Sequence, residues 1–587
     1  MDAGDRYRAK RSSEVMDSQF KYLSISDSGP QLPATTNGAT SSAVRRRFSK
    51  FVNKHLNRIL FLASAGDGSR DEHNLEVARY TARATAQVSR RWRAAAVNTP
   101  SIWLGPVLSW YSHPNWLDVV LERSKPLLLD AVILDGAVTR KPQILPIVLG
   151  RISRIRRLDL TIDLTREPLL WQSIGKLKLL QQQAPCLQSL CLNVVTDVET
   201  RGRIHVTEPE NLFSGWAPML HHLRVQDCPI NLAPKMYSGL RVLFLHHTPF
   251  TSPVQVLDAL RNMKYLENFY LVCPPGNVHL ILDCPDVPPV YLLNLNRLRV
   301  AATTSMCTSI FKHLYLPPSC SIQLDCHQVY GGQHSREILS RMKETLSNWK
   351  CEPLTGTQYL DIGATHIRLA VEGPMEVDDF SNLQHPYVGL AFFWQPSPIS
   401  FQSLFSLFPL VTSSFPKCTA SPDSLHVNAD TKIPAGLRPL VANWLRSQQD
   451  IQAIEFRSHD AFAFFEPILR LPKSNTYHED EDDDYNSQGD SDILLPILGD
   501  LRLENVNFNT DKRRYWKRLI KTLKGRDKAG CPIQQLDLVC CGGDYSLNEA
   551  NRYVADVKED GESHYDDNDD EGSDDSDCTI QANSDIE

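Results

Sequence analysis

Large apolar residues recur two apart, with polar residues between them, in short stretches through most of the chain. Ile155-Arg-Arg-Leu158-Asp-Leu160 is one and Leu187-Gln-Ser-Leu190-Cys-Leu192-Asn193 is another. Leu220-His-His-Leu223-Arg-Val225-Gln-Asp-Cys228, Leu240-Arg-Val-Leu243-Phe-Leu245 and Leu266-Glu-Asn-Phe269-Tyr-Leu271 follow. Far downstream lie Leu498-Gly-Asp-Leu501-Arg-Leu503-Glu-Asn505 and Ile533-Gln-Gln-Leu536-Asp-Leu538-Val-Cys540. A period of two puts the Leu residues on one face of a β-strand and the intervening Arg, Asp, His and Gln on the other. Neighbouring stretches start between 20 residues (Leu220 to Leu240) and 35 residues (Leu498 to Ile533) apart, so the connectors vary in length. The pattern predicts an α/β array over 127–545, strands sharing one core and joined by helical or irregular segments. Within 330–450 it weakens. There Ile367–Val371 and Val388–Phe393 read as strands, 406–411 reads as a connector, and the array is expected to continue.

Towards the N-terminus the period changes. Leu75, Ala78, Ala82, Val88, Trp92 and Ala95 recur at steps of three and four, or their sums, which places them on one stripe of a helix. Thr99 suits a cap for the next helical turn, Pro100 suits a first helical position, and Trp103 returns to the same apolar patch. An earlier helical pattern (Phe51, Val52, Leu56, Ile59, Leu60, Leu62) is separated from it by Ala65-Gly66-Asp67-Gly68-Ser69. A basic amphipathic helix is expected over 511–523, with Trp516, Leu519, Ile520 and Leu523 on its apolar face.

The run Val88-Ser89-Arg90-Arg91-Trp92-Arg93, with Pro100 and Trp103 after it, resembles the second half of an F-box. Extended through Trp116-Leu117, Leu121-Glu122-Arg123-Ser124 and Pro126-Leu127, and joined by Gly530-Cys-Pro532-Ile533-Gln-Gln-Leu536-Asp-Leu538, it is similar to the F-box/leucine-rich-repeat proteins abundant in mushroom-forming fungi. The L-x-x-L-x-L stretches fit a leucine-rich-repeat strand. Ser89 stands where that family often has Cys. The family's opening helix has only Val52-Asn-Lys-His-Leu56-Asn-Arg-Ile59-Leu60 as a counterpart, which lacks its Pro and acid.

The resemblance implies a short N-terminal helical F-box-like module at 46–126, followed by an irregular leucine-rich-repeat-like solenoid at 127–545. It implies a substrate-recognition subunit of an SCF-like ubiquitin ligase. Val88, Arg90, Trp92, Arg93, Pro100 and Trp103 would bind a Skp-type adaptor and, through it, a cullin ligase core. Arg224, Gln226, Arg241, Phe244, Glu267 and Tyr270 would offer a concave face to a protein substrate. Two other readings stand beside it. One is a stand-alone leucine-rich-repeat-like scaffold with a decayed F-box. The other is a nucleic-acid binder using Lys512, Arg513, Arg514, Lys517 and Arg518, although a solvated basic face on a structural helix is the favoured account of those residues.

Length and charge refine this picture. A chain of 587 residues exceeds one ordinary compact core. Its net charge of -7 is unevenly spread. Residues 1–45 are polar and basic, 475–492 form an acidic loop and 546–587 an acidic tail, and all three are expected to be disordered. Arg45-Arg46-Arg47-Phe48-Ser49-Lys50 fits a nuclear localisation signal, and a cytoplasmic or nuclear location is expected. No apolar run reaches the ~20 residues that span a bilayer, so no membrane partner is expected. The 14 cysteines form no C-x-x-C pair and read as buried thiols. No phosphate loop, dinucleotide fingerprint, G-x-S-x-G elbow or H-E-x-x-H is present. Adjacent histidines such as His221-His222 and His246-His247 are expected on opposite faces of a strand, so they do not predict a metal site. No catalytic residue, metal or cofactor is expected, and the protein is read as a binding protein rather than an enzyme.

Overall fold

The computed structural model describes residues 87, 89–103, 114–133, 143–165, 179–195, 212–248, 252–273, 287–327, 332–347, 357–362, 366–371, 388–393, 407–409, 411–412, 423–429, 432–470, 494–509 and 514–560. The chain divides into two compact units, Met1–Trp103 and Leu104–Glu587. The expectations for 1–45, for the opening F-box helix, for Val88 and for the acidic loop lie outside the described residues.

In the first unit, helix α1 spans Arg90–Val97. Its N-cap Ser89 is extended (φ -156°, ψ 167°), and its hydroxyl accepts the Trp92 N–H. The apolar stripe from Leu75 to Ala95 is therefore not one continuous helix. A serine hydroxyl satisfies an N–H that otherwise has no partner at a helix start, and the chain restarts there. Pro100–Trp103 forms a short 3-10 turn. Thr99, expected as a cap for it, bonds to the preceding helix. Its hydroxyl donates back to the Ala95 carbonyl at 2.8 Å.

The second unit is a single large sheet with helices against it. α2 (Pro114–Arg123) precedes β1 (Leu129–Ile133), and α3 (Ile144–Leu149) precedes β2 (Ile155–Asp163). β3 (Ser189–Val195), β4 (His222–Gln226) and β5 (Val242–His246) follow, then α4 (Pro253–Arg261) and β6 (Asn268–Val272). β7 (Val290–Tyr291) and β9 (Leu314–Tyr315) pair with each other alone, flanking β8 (Arg297–Thr303) and α5 (Thr304–His313). Next come β10 (Ser321–His327), α6 (Gly332–Ser347), β11 (Thr357–Ile362), β12 (His366–Val371), β13 (Val388–Phe393) and β14 (Ser424–Ala429). α7 (Arg438–Arg446), β15 (Ala453–Phe456), α8 (His459–Leu469), β16 (Asp500–Glu504), α9 (Arg514–Lys528), β17 (Gln535–Val539), α10 (Leu547–Ala550) and β18 (Asp556–Asp560) complete it.

Sixteen strands form the main sheet in chain order, except that β13, β12 and β11 run in reverse between β10 and β14. β12 is antiparallel to both neighbours; every other pairing is parallel. The strands expected in 330–450 are present, but this insertion breaks the array's one-way progression.

One apolar residue from each strand except β18 forms a continuous row across the sheet. From Ile133 it runs through Leu160, Leu192, Val225, Leu245, Leu271, Val300 and Leu324. It continues through Leu390, Leu369, Leu360, Val427, Phe456 and Leu503 to Leu538. Each of these residues is at most 1 % exposed. In five of the L-x-x-L-x-L stretches the first apolar residue sits in the turn before the strand, whereas Ile155 already belongs to β2. The N–H of Leu187, Leu220, Leu240, Leu266 and Leu498 donates to the carbonyl three residues back. Two further stretches share this form, Leu295-Asn-Arg-Leu298-Arg-Val300 and Ile451-Gln-Ala-Ile454-Glu-Phe456, and they supply β8 and β15.

α9 matches the expected amphipathic helix, with Trp516, Leu519, Ile520 and Leu523 buried. The acidic tail begins later than expected. β18 lies past residue 545 and pairs with β17 through main-chain hydrogen bonds, which need little side-chain signal. Its Val557 packs on the core while Asp556, Lys558, Glu559 and Asp560 mask it in the sequence.

Candidate functional site

The opposite face of the same strands carries a second row, set one residue away from the apolar one. It runs Val132, Asp159, Cys191, Arg224, Phe244, Tyr270, Arg299 and Gln323. It continues through Gly389, Ala370, Tyr359, His426, Glu455, Arg502 and Asp537 to Lys558. Where the inner row is uniformly apolar, this one mixes charge, aromatic rings and amides.

Three of the sequence-predicted residues, expected to face a partner, are neighbours in it; Arg224 is exposed, whereas Phe244 and Tyr270 are buried. The Arg224 guanidinium lies 4.5 Å from the Phe244 ring centroid, and Phe244 lies 5.8 Å from Tyr270. A cation over an aromatic face is attracted by the ring quadrupole. Gln226 faces the same side one step along, paired with His246. Arg241 and Glu267 are placed elsewhere. They precede β5 and β6 and form an exposed ion pair at 3.3 Å. Their sequence parity is that of Leu243 and Phe269, the inward residues, so strand alternation leaves them off the row.

The centre of the face holds groups that the sequence pattern does not single out. Asp325, 4 % exposed, lies 3.4 Å from the Arg299 guanidinium and 3.8 Å from Arg368, and accepts from the Gln323 amide at 3.0 Å. A carboxylate at this depth stays compatible with the fold because cations and an amide surround it. Further along, His366 is 3.2 Å from Asp361, and Asn428 donates to the same carboxylate. His426 lies 3.3 Å from Glu455, which Arg457 also holds at 2.8 Å. Burial lowers the His426 pKa, and Arg457 and Arg502 push it the same way against the pull of Glu455. Burial also lowers the pKa of His327, which stacks on Phe393 at 4.9 Å. Burial acts to raise the Glu455 carboxyl, but its bond to Arg457 and the nearby positive charges outweigh that and hold it low. On β16 to β18, Arg502, Asp537 and Lys558 stand opposite one another with alternating sign, the favourable cross-strand arrangement.

The F-box-like residues lie in the other unit. Arg90 and Arg93 are exposed on α1, and Trp92 and Pro100 are half-buried. Trp103 is buried, and its indole N–H donates to the Ala96 carbonyl at 2.8 Å. Of the basic residues weighed for nucleic acid, Arg514 and Lys517 are exposed and Arg518 lies 5.8 Å from the Tyr515 ring. Lys512 and Arg513 are outside the described residues. The cysteines divide: Cys228 and Cys541 are buried as expected, whereas Cys540 is exposed.

No known protein family matches the chain, and no curated protein matches it. Among the described residues no helix is long and apolar enough to cross a membrane.

Proposed function

We propose that this chain is a protein-binding subunit that recognises a substrate for an SCF-like ubiquitin ligase, holding a Skp-type adaptor through its N-terminal helices. The observation that carries the binding half is the unbroken mixed row from Val132 to Lys558. It is a row of varied chemistry over a uniform core, partly exposed towards its two ends and buried from Phe244 to Ala370, and repeat proteins select partners with residues so placed without altering their packing. The adaptor half rests on the F-box-like run from Val88 to Trp103, whose Arg90 and Arg93 are exposed on α1.

One observation favours a second reading, a stand-alone scaffold. Trp103 spends its indole on the Ala96 carbonyl within its own unit, which fits an internal packing role.

Co-purification of the full chain with a Skp-type adaptor separates the two. The ligase reading expects the wild type to retain the adaptor. Trp92→Ala and the double variant Arg90→Glu/Arg93→Glu should each lower retention at least about tenfold, the ~1.4 kcal/mol expected for losing one anchoring contact. Their circular dichroism should remain unchanged. A wild type that retains no adaptor leaves the scaffold reading.

A further inference from the structure

We propose that Asp227, His246 and His247 form a binding site for a divalent zinc-class metal ion at the ends of β4 and β5. Strand alternation alone would send adjacent histidines to opposite faces. That expectation fails here because β5 ends at His246 and His247 adopts a left-handed conformation (φ 51°), which turns its ring back beside its neighbour. The two ring centroids are 4.0 Å apart. Asp227 occupies the equivalent place after β4 and is also left-handed (φ 53°). The two residues stand seven positions after Leu220 and Leu240, so adjacent repeats carry Asp227 and His247 to the same edge of the sheet.

The backbone fixes this placement. The Asp227 N–H donates to the His246 carbonyl at 2.8 Å, and the His247 N–H to the Val272 carbonyl at 2.6 Å. One ligand atom from each of the three side chains lies within 4.8 Å of the others. His247 Nδ1 and Asp227 Oδ1 are 3.4 Å apart. That is longer than an ordinary N–H···O bond of ~2.7–3.2 Å. It is close to the ~3.3 Å edge of a tetrahedron whose metal–ligand bonds are ~2.0–2.1 Å. Two borderline imidazole nitrogens beside one hard carboxylate oxygen suit zinc and its neighbours better than calcium or magnesium, which take oxygen ligands. Three protein ligands leave a fourth position open to water or to a side chain from a partner. All three residues are partly exposed, so an ion can reach them.

The test uses the full chain stripped with a chelator and titrated calorimetrically with Zn²⁺ alone. His247→Asn and Asp227→Asn are the decisive variants, because asparagine tolerates the left-handed backbone both positions require. The chain holds 18 histidines and 14 cysteines, so the readout is the difference from wild type. Wild type should bind one equivalent that both variants lose, and the metal-free proteins should share one urea midpoint. Co²⁺ in that site should give a spectrum of nitrogen and oxygen ligands without a thiolate charge-transfer band. Equal stoichiometry and affinity in wild type and variants overturns the proposal. So does a Co²⁺ spectrum dominated by thiolate that the variants leave unchanged.

Discussion

His426 shows how single residues on the mixed face tie stability to pH. It lies between the Tyr359 ring at 4.8 Å, Glu455 and the Arg457 guanidinium, whose Nη2 is 2.9 Å from its Nδ1. Burial, Arg457 and Arg502 lower its pKa despite Glu455, and burial lowers those of His327 and His459 as well. In the unfolded chain a histidine takes up a proton near pH ~6.5. A group with a depressed folded pKa favours folding above its unfolded value, and that advantage is lost as pH falls through the folded one. The window therefore opens just below pH ~6.5. Glu455, also held low, adds its own loss only in the more acidic carboxylate range. The urea midpoint should drop between pH 7.5 and pH 5.5, and His426→Gln should flatten that slope. A midpoint insensitive to pH across this window would contradict the assignment. Arginine works differently at two turns. Arg526, 3 % exposed, donates to the carbonyls of Leu494, Leu495 and Leu498, and Arg154 to those of Leu121 and Leu127. Each gathers several main-chain acceptors of one turn onto a single guanidinium.

Elements repeat more faithfully than the sequence spacing suggests. The stretches starting at Leu220, Leu240, Leu498 and Ile533 end seven residues later in a left-handed residue: Asp227, His247, Asn505 and Cys540. The alternation inside these strands was legible because one face is apolar throughout and the other is mixed, although Phe244 on that other face is also buried. Leu295-x-x-Leu298-x-Val300 and Ile451-x-x-Ile454-x-Phe456 carry the same signal but were not singled out from the sequence. The reversed β12 was not legible, since Ile367 and Leu369 alternate as they would in a parallel strand. On the candidate face, Arg224, Gln226, Phe244 and Tyr270 could be placed by parity. Asp325 and Arg299 could not, because only their neighbours in space make their burial tolerable. Turns after strands are equally specific. Gly543 has φ +104°, and a Cβ there would lie 2.6 Å from the Asn509 backbone nitrogen. Asn509 cannot retreat cheaply, since its side chain accepts the Asp544 N–H at 2.8 Å. Gly530 has φ +76° with open space around it. Gly543→Ala should cost about 2–4 kcal/mol, combining strain and overlap. Gly530→Ala should cost about 1 kcal/mol for the left-handed backbone alone. Urea unfolding of the pair is the measurement, and equal costs would argue against the close approach at Gly543.

At the scale of the whole molecule, a sheet in which every strand borrows its core from its neighbours must end somewhere. An open edge is a template for pairing with another chain. β18 meets that problem with composition. Asp556, Lys558, Glu559 and Asp560 surround its single packed apolar residue, Val557, and charged edges resist edge-to-edge association. It also closes the core, because α10 and the turn before β18 bury Ala550 and Val554, and Glu549 accepts the Trp516 indole N–H at 3.1 Å. A chain ending at residue 545 would lose these and leave β17, Gln-Leu-Asp-Leu-Val, as the edge. Its Leu536 and Leu538 would lack Val557 and the backbone partners they now have. Such a chain should unfold at lower urea than the full chain and associate in a concentration-dependent way. Light scattering after size exclusion, over a tenfold range of protein concentration, reads the second effect. If the shortened chain is monomeric with an unchanged urea midpoint, β18 is an ornament on the sheet rather than its terminal cap. The adaptor and metal experiments should then be repeated on the shorter chain, because neither the row through Arg224 nor the Asp227 site depends on what lies beyond β17.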